Sequence, residues 1–213
     1  MASDAAAPAC LPSVEMAAAA RQGDLFAGFE AGDSTIPTQL DQQLGLSPAL
    51  LRDWQSRIHQ HQGPLLEGTP ATAAQTQLFA PPPTLSTNLR PLSLQPLPLS
   101  FWRWPQSPHA GAAVYLVMDK PDHLPSPILL YVGETLAADR RWKGEHDCKT
   151  YLAAYGEALS SAGLNSQPSI RFWVDVPQTT KARRQLEQEL IQTWLPPFNK
   201  ETRERWATPF NAD

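Results

Sequence analysis

Cysteine is scarce in this chain: there are two in 213 residues, Cys10 and Cys148, far apart in the sequence. That excludes a cysteine-rich zinc site and a disulfide framework, and it fits a reducing, cytoplasmic compartment. Long apolar runs are lacking too. No stretch reaches the roughly 18 apolar residues that read as a membrane span, so no membrane partner is expected. The opening MASDAAAPAC has no basic segment ahead of an apolar run, which argues against a secretory signal. No internal repeat is found. An excess of positive charge is also missing. The formal net charge is −4, which speaks against wholesale coating of nucleic acid. The charge is unevenly spread, however. Residues 1–139 hold 6 basic and 12 acidic side chains, whereas residues 140–205 hold 11 basic and 8 acidic. A basic C-terminal part can meet a polyanion locally; a solvated mixed-charge surface is the plainer alternative.

Proline is abundant instead, with 22 residues, eight of them between Pro81 and Pro108. Proline fixes φ and removes a backbone donor, so this segment can form neither a long helix nor a central strand. Residues 63–108 therefore read as an extended connector whose end, Phe101–Trp104, docks on the next domain. Residues 1–23 are Ala-rich and read as a flexible N-terminus, and residues 24–62 read as helical. Residues 109–210 alternate strand and helix signals. The runs AAVYLVM (112–118), ILLYVG (128–133) and SIRFWVDV (169–176) have the β-branched and aromatic content of strands. RRWKGEHDCKTYLAAYGEAL (140–159) and ARRQLEQELIQTWL (182–195) read as helices, the second stopped by Pro196–Pro197. The order β-β-α-β-α predicts an α+β domain with a small three-stranded antiparallel sheet flanked by helices.

One acidic residue falls on the wrong side of its helix. At about 100° per residue, and with Leu186 as zero, Leu190 falls at about 40°, Trp194 at about 80° and Ile191 at about 140°. Glu187 lies at about 100°, inside that apolar arc, and Glu189 at about 300°, opposite it. Glu189 is thus an ordinary solvated residue. Glu187 needs a partner, a metal or a proton, because a lone carboxylate is costly to desolvate. A salt bridge to Arg141 or Arg171 is one reading; a ligand for a hard cation in a cleft is the other.

Other residues join this glutamate in a recognisable order. Tyr115 and Tyr131 lie near the centres of the first two strands. Gly133 closes the second, where a missing Cβ lets a backbone or ligand come close. Ala113-Val114-Tyr115, Tyr131-Val132-Gly133, Arg141-Trp142 eight residues past Gly133, Glu187 on the last helix, and Pro197-Phe198-Asn199 twelve residues further follow in sequence. Here the chain resembles the GIY-YIG nuclease superfamily over about 111–200. His146 resembles a histidine found after the arginine in some branches. Ala113 departs from the family's first glycine, and the fifteen residues between the motif tyrosines are several more than usual.

The resemblance implies a metal-dependent endonuclease that hydrolyses phosphodiester bonds of nucleic acid, DNA being the expected partner. Glu187 would hold Mg²⁺ or Mn²⁺, Arg141 would bind phosphoryl oxygens, and Tyr115 would be the general base for water. Tyr131 would orient water or phosphate, and Asn199 would brace the site by hydrogen bonds. His146 would join this catalytic set, with Gly133, Arg140 and Lys143 beside the substrate. The competing class is a non-catalytic nucleic-acid-binding or scaffold protein that keeps the fold. Residues 36–58 carry a separate pattern: an apolar helix ending at Gly45, then Ser47 as N-cap and Pro48 at N1, then a stripe of Leu50, Leu51, Trp54 and Ile58. This resembles a helix-turn-helix with a MerR-like turn, whose second helix would present Arg52, Gln55 and Arg57 to a major groove. A helical hairpin packed on the following domain remains the alternative.

Overall fold

Runs of valine, leucine, isoleucine and tyrosine build the middle of the structure, a computed structural model that describes residues 47–68, 85–143 and 147–210. These residues all belong to one unit, Thr38–Asp213. The longest runs form β2 (Ala113–Asp119) and β3 (Ile128–Thr135). With β1 (Leu97–Pro98) and β4 (Ser169–Trp173) they make an antiparallel sheet of order β1-β4-β2-β3. The expected sheet had three strands; the structure has four. The additional strand comes from the Pro-rich segment, with Leu97 opposite Ile170 and Pro98 opposite Ser169. A proline is tolerated there because the strand is short and lies on the sheet edge.

β2 is buried along its whole length, and its side chains alternate between two cores. Val114, Leu116 and Met118 pack with Leu186, Leu190, Ile191 and Trp194 of α4 (Thr180–Trp194). Ala113, Tyr115 and Val117 face Phe101, Trp142 and Phe172 on the other side. The run 140–159, expected as one helix, is divided. A single turn, α2 (Ala138–Arg141), tightens as the Lys143 N–H bonds to the Arg140 carbonyl, and Gly144, a poor helix former, follows. The chain resumes as α3 (Asp147–Ser161).

α1 (Pro48–Leu66) starts at Ser47, whose hydroxyl accepts from the Leu50 N–H at 3.2 Å. Its stripe is centred on Leu51, Trp54, Ile58, Gln62 and Leu66. This turns Leu50, expected inside, outward to 46% exposure. It also turns Gln55, expected on the groove-facing side, into the core, where its amide donates to the Tyr155 hydroxyl. Arg52 and Arg57 are exposed, Arg57 paired with Asp53 at 3.1 Å. The preceding half of the helix-turn-helix pattern lies outside the described residues, as do His146 and residues 1–23. No helix among the described residues is long and apolar enough to cross a membrane.

β3 is an edge strand, yet its outer backbone groups are paired. Gln62, fully buried, accepts from the Leu129 N–H at 2.7 Å and donates to the Leu129 and Trp194 carbonyls at 3.0 Å each. The Phe198 N–H donates to the Leu130 carbonyl at 3.0 Å. Replacing Gln62 with leucine leaves three backbone groups unpaired. Gln62→Leu is therefore expected to lower the unfolding free energy by about 3 kcal/mol in urea denaturation, whereas exposed Gln60→Leu changes it by less than about 0.5 kcal/mol.

Candidate active site

The site is assembled where β2 begins and β3 ends, just before α2. Tyr115 and Gly133 are direct cross-strand partners. The Tyr115 ring lies over Gly133 so closely that a Cβ there would come within 2.4 Å of its Cζ and Oη. The close approach expected at Gly133 is thus made by Tyr115 itself. The ring is held on its other sides by Tyr131, stacked at 5.9 Å, by Trp142, edge-on at 5.9 Å, and by Phe172 at 6.2 Å.

α2 places Arg141. It enters from Ala137, whose N–H bonds to the Thr135 hydroxyl, and the Ala138 N–H bonds back to the Gly111 carbonyl at 3.0 Å. From the last turn, Arg141 Nε donates to Tyr115 Oη at 3.4 Å. Its two terminal amino groups make no hydrogen bond or ion pair among the described residues. Burial pushes the Tyr115 phenol up from its ordinary value, with Arg141 pulling the other way. Burial, with Tyr115 and Cys148 adding to it, raises Tyr131 further. Both groups are neutral phenols near pH 7. Arg140 and Lys143 are exposed, Arg140 beside Asp139 at 3.5 Å.

Two residues brace β3 beside these tyrosines. Asn199 is buried; its Oδ1 accepts from the Val132 N–H at 2.9 Å and its Nδ2 donates to the Val132 carbonyl at 2.8 Å. It reaches that position because α4 ends on Leu195 in a left-handed conformation (φ 49°), after which Pro196–Pro197 carry the chain along the strand. Glu187 is half-buried, and its Oε1 accepts from the Glu134 N–H at 3.0 Å. The salt bridges considered from sequence are not formed. Arg141 is on Tyr115, and Arg171 donates to the Pro91 and Leu94 carbonyls.

Sequence reasoning missed the ion pair that isolates Glu187. Arg183, fully buried, donates from Nε to Glu134 at 2.8 Å and from Nη1 to the Pro177 and Gln178 carbonyls. Arg184 approaches the other Glu134 oxygen at 3.3 Å. The signal was present, since Arg183 precedes Glu187 by one helical turn on the same side and Glu134 follows the Tyr-Val-Gly motif. Both neighbouring guanidiniums are thus engaged by Glu134. Burial, with added repulsion from Glu134 and Glu201, raises Glu187 to about 7, against the opposing hydrogen bond from the Glu134 backbone.

Glu187 is the one residue of this cluster that could offer a carboxylate oxygen to a divalent cation. One oxygen of Glu187 is fixed by a backbone N–H, the other has no hydrogen-bond partner among the described residues, and no guanidinium among them forms an ion pair with it, although Arg184 lies close enough to lower its proton affinity. Among the described residues no group of three or more His, Cys, Asp and Glu side chains surrounds it, so the ion it suits is one that retains waters and accepts substrate oxygens, as Mg²⁺ does. A cavity of about 190 Å³ lies elsewhere, between α1, the β2–β3 loop and the end of α3; it is lined by Arg52, Gln55, His123 and Asn165 among others and shares no residue with the Tyr115 cluster. No family model, no curated protein and no solved structure matches this chain.

Two tests follow. Gly133→Ala is expected to cost about 2 kcal/mol by overpacking, and most of that loss should vanish in a Tyr115→Ala background when the double-mutant cycle is measured by chemical denaturation. Glu187 binds its proton more tightly folded than unfolded, so its contribution to stability is full below about 4.5 and falls as pH rises to about 7. Glu187→Gln removes that slope: the stability of the variant relative to wild type rises across this window and then levels, as read from thermal melts at several pH values.

Proposed function

We propose that this protein is a metal-dependent endonuclease of the GIY-YIG type, acting on phosphodiester bonds of nucleic acid, with DNA as the first substrate class to test. One observation carries the reading. Tyr115, Tyr131, Arg141 and Gly133 converge at one end of the sheet, and Glu187 is held at the same strand end by the Glu134 N–H with no cation on it. A purely structural carboxylate on an apolar helix face would be matched to the guanidinium one turn away, yet Arg183 is turned to Glu134.

The chemistry can be built from the chain's own groups. Arg141 is anchored through Nε on Tyr115, which leaves its terminal amino groups to donate two hydrogen bonds to phosphoryl oxygens, a fork that lysine cannot copy. Tyr115 Oη lies under that guanidinium; it would first release its own proton to solvent, and the phenolate would then take the proton of an attacking water. The positive charge of Arg141 and a hydrogen bond from Tyr131 favour its anion; burial opposes it. Tyr131, stacked on Tyr115, orients that oxygen. Asn199 fixes Val132 between Tyr131 and Gly133, and so acts as a positioning residue. Glu187 would hold Mg²⁺ or Mn²⁺, which when bound supplies Lewis-acid charge to the phosphoryl and leaving oxygens.

The decisive experiment incubates supercoiled, branched and single-stranded DNA, and RNA, with the protein and Mg²⁺ or Mn²⁺. Wild type is expected to cut at least one of them, while Glu187→Gln and Arg141→Lys each reduce the rate by about 100-fold or more without lowering the melting temperature at pH 8. Cutting by Glu187→Gln at the wild-type rate would remove that residue from the reaction. Because the carboxyl must lose a proton to bind a cation, the half-saturating Mg²⁺ concentration should fall about tenfold per pH unit below pH 7 and level off above it. Binding without cleavage of any substrate would favour the non-catalytic reading.

A further inference from the structure

The Pro-rich segment ends in a row of indoles and cations beside the candidate active site. Phe101 is the anchor, buried against Phe172 at 5.3 Å. The short 3₁₀ turn it opens, Phe101–Arg103, leaves Trp102 half-buried with the Arg103 guanidinium 5.0 Å from its ring. The Lys149 ammonium lies 6.0 Å from the Trp102 ring and 5.7 Å from the Trp142 ring. Trp142 in turn meets Tyr115 edge-on at 5.9 Å. Trp104 follows with 45% of its surface exposed, and it is the only aromatic among the large exposed hydrophobics of the described residues. Arg140 and Lys143, on the turn that carries Trp142, are exposed as well.

We propose that Trp102, Arg103, Trp104 and Lys149 form a platform that holds an unpaired nucleic-acid strand next to Tyr115, through stacking on its bases and charge contact with its phosphates. The proposal rests on the nuclease reading and names its substrate class. Each component answers one part of the ligand. The exposed indole of Trp104 suits a base face, which a duplex hides in its stack, and Arg103 and Lys149, held over the half-buried Trp102 ring, suit a backbone charge at every nucleotide. The row is continuous with the site through Lys149 and Trp142, so a strand lying on it leads to the Tyr115–Arg141 pair. An acidic peptide would use the cations but gain little from the indoles, which makes it a control rather than the expected ligand.

The test uses the full chain carrying Glu187→Gln, without divalent cation, and reads fluorescence anisotropy. The probes are an oligothymidylate and an oligouridylate of about 20 nucleotides, long enough to cover a stacking site of this kind. A blunt duplex of the same length and polyglutamate are the controls. The single strands are expected to bind about tenfold tighter than the duplex, and the better of the two distinguishes DNA from RNA. Trp104→Ala is expected to weaken single-strand binding about tenfold, with most of it restored by Trp104→Phe, and Arg103→Ala is expected to weaken it and flatten its salt dependence. Melting temperatures should be unchanged for all three. Absence of single-strand binding, equal binding of duplex or polyglutamate, or unaltered affinity in Trp104→Ala and Arg103→Ala would each overturn the platform. Cleavage by wild type with unaltered binding in those variants removes the platform and keeps the nuclease. Loss of binding in them with no cleavage of any substrate does the reverse.

Discussion

The outer edge of β3 is the constraint around which this fold is organised. A buried strand edge offers backbone N–H and carbonyl groups that must find partners. Here those partners are side chains from three distant places: Gln62 from α1, Glu187 from α4 and Asn199 from the segment after it. Each lies more than fifty residues from its partner on β3, so one strand ties together the two helices and the C-terminal turn. Glu187 points inward because it belongs to this set. The same contact that satisfies the Glu134 N–H fixes the carboxylate at the end of β3.

Electrostatic partition then decides what the carboxylate can do. Two acids and two guanidiniums occupy the β3–α4 contact, and both guanidiniums go to Glu134. Glu187 is left with burial and like charge, which raise its proton affinity toward neutrality. A fixed, buried Arg183 does not move across to it, because Nη1 is held by two carbonyls. On the other side of the strand pair, Arg141 is exposed and, among the described residues, is tethered through Nε alone. The arrangement separates a cation fixed in the fold from one that stays open to solvent.

Much of the domain could be read from the sequence where the information was local. The helical arithmetic that set Glu187 on the apolar side was sufficient because α4 is regular from Thr180 to Trp194. The two long strands were legible from their composition, and so was the Ser47–Pro48 start of α1. The failures involve partners far away in sequence. Gln55, expected to face a groove, is buried because Tyr155 satisfies it, and Gln62, which gave no signal in the sequence, is buried because Leu129 does the same. β1 was invisible because two residues, one of them proline, carry no strand pattern until β4 is beside them. The Glu134–Arg183 pair was half legible: Arg183 stands one turn before Glu187 on the same side, but its choice of Glu134 depends on a strand about fifty residues away.

Both outer strands of the sheet are also poor sites for adding another. On one side the amide and carboxylate side chains already occupy the positions a foreign strand would bond to. On the other, β1 is two residues long and Pro98 has no N–H to offer. Among the described residues, the β3 edge and β1 therefore offer a neighbouring copy of the chain few free backbone groups for strand addition.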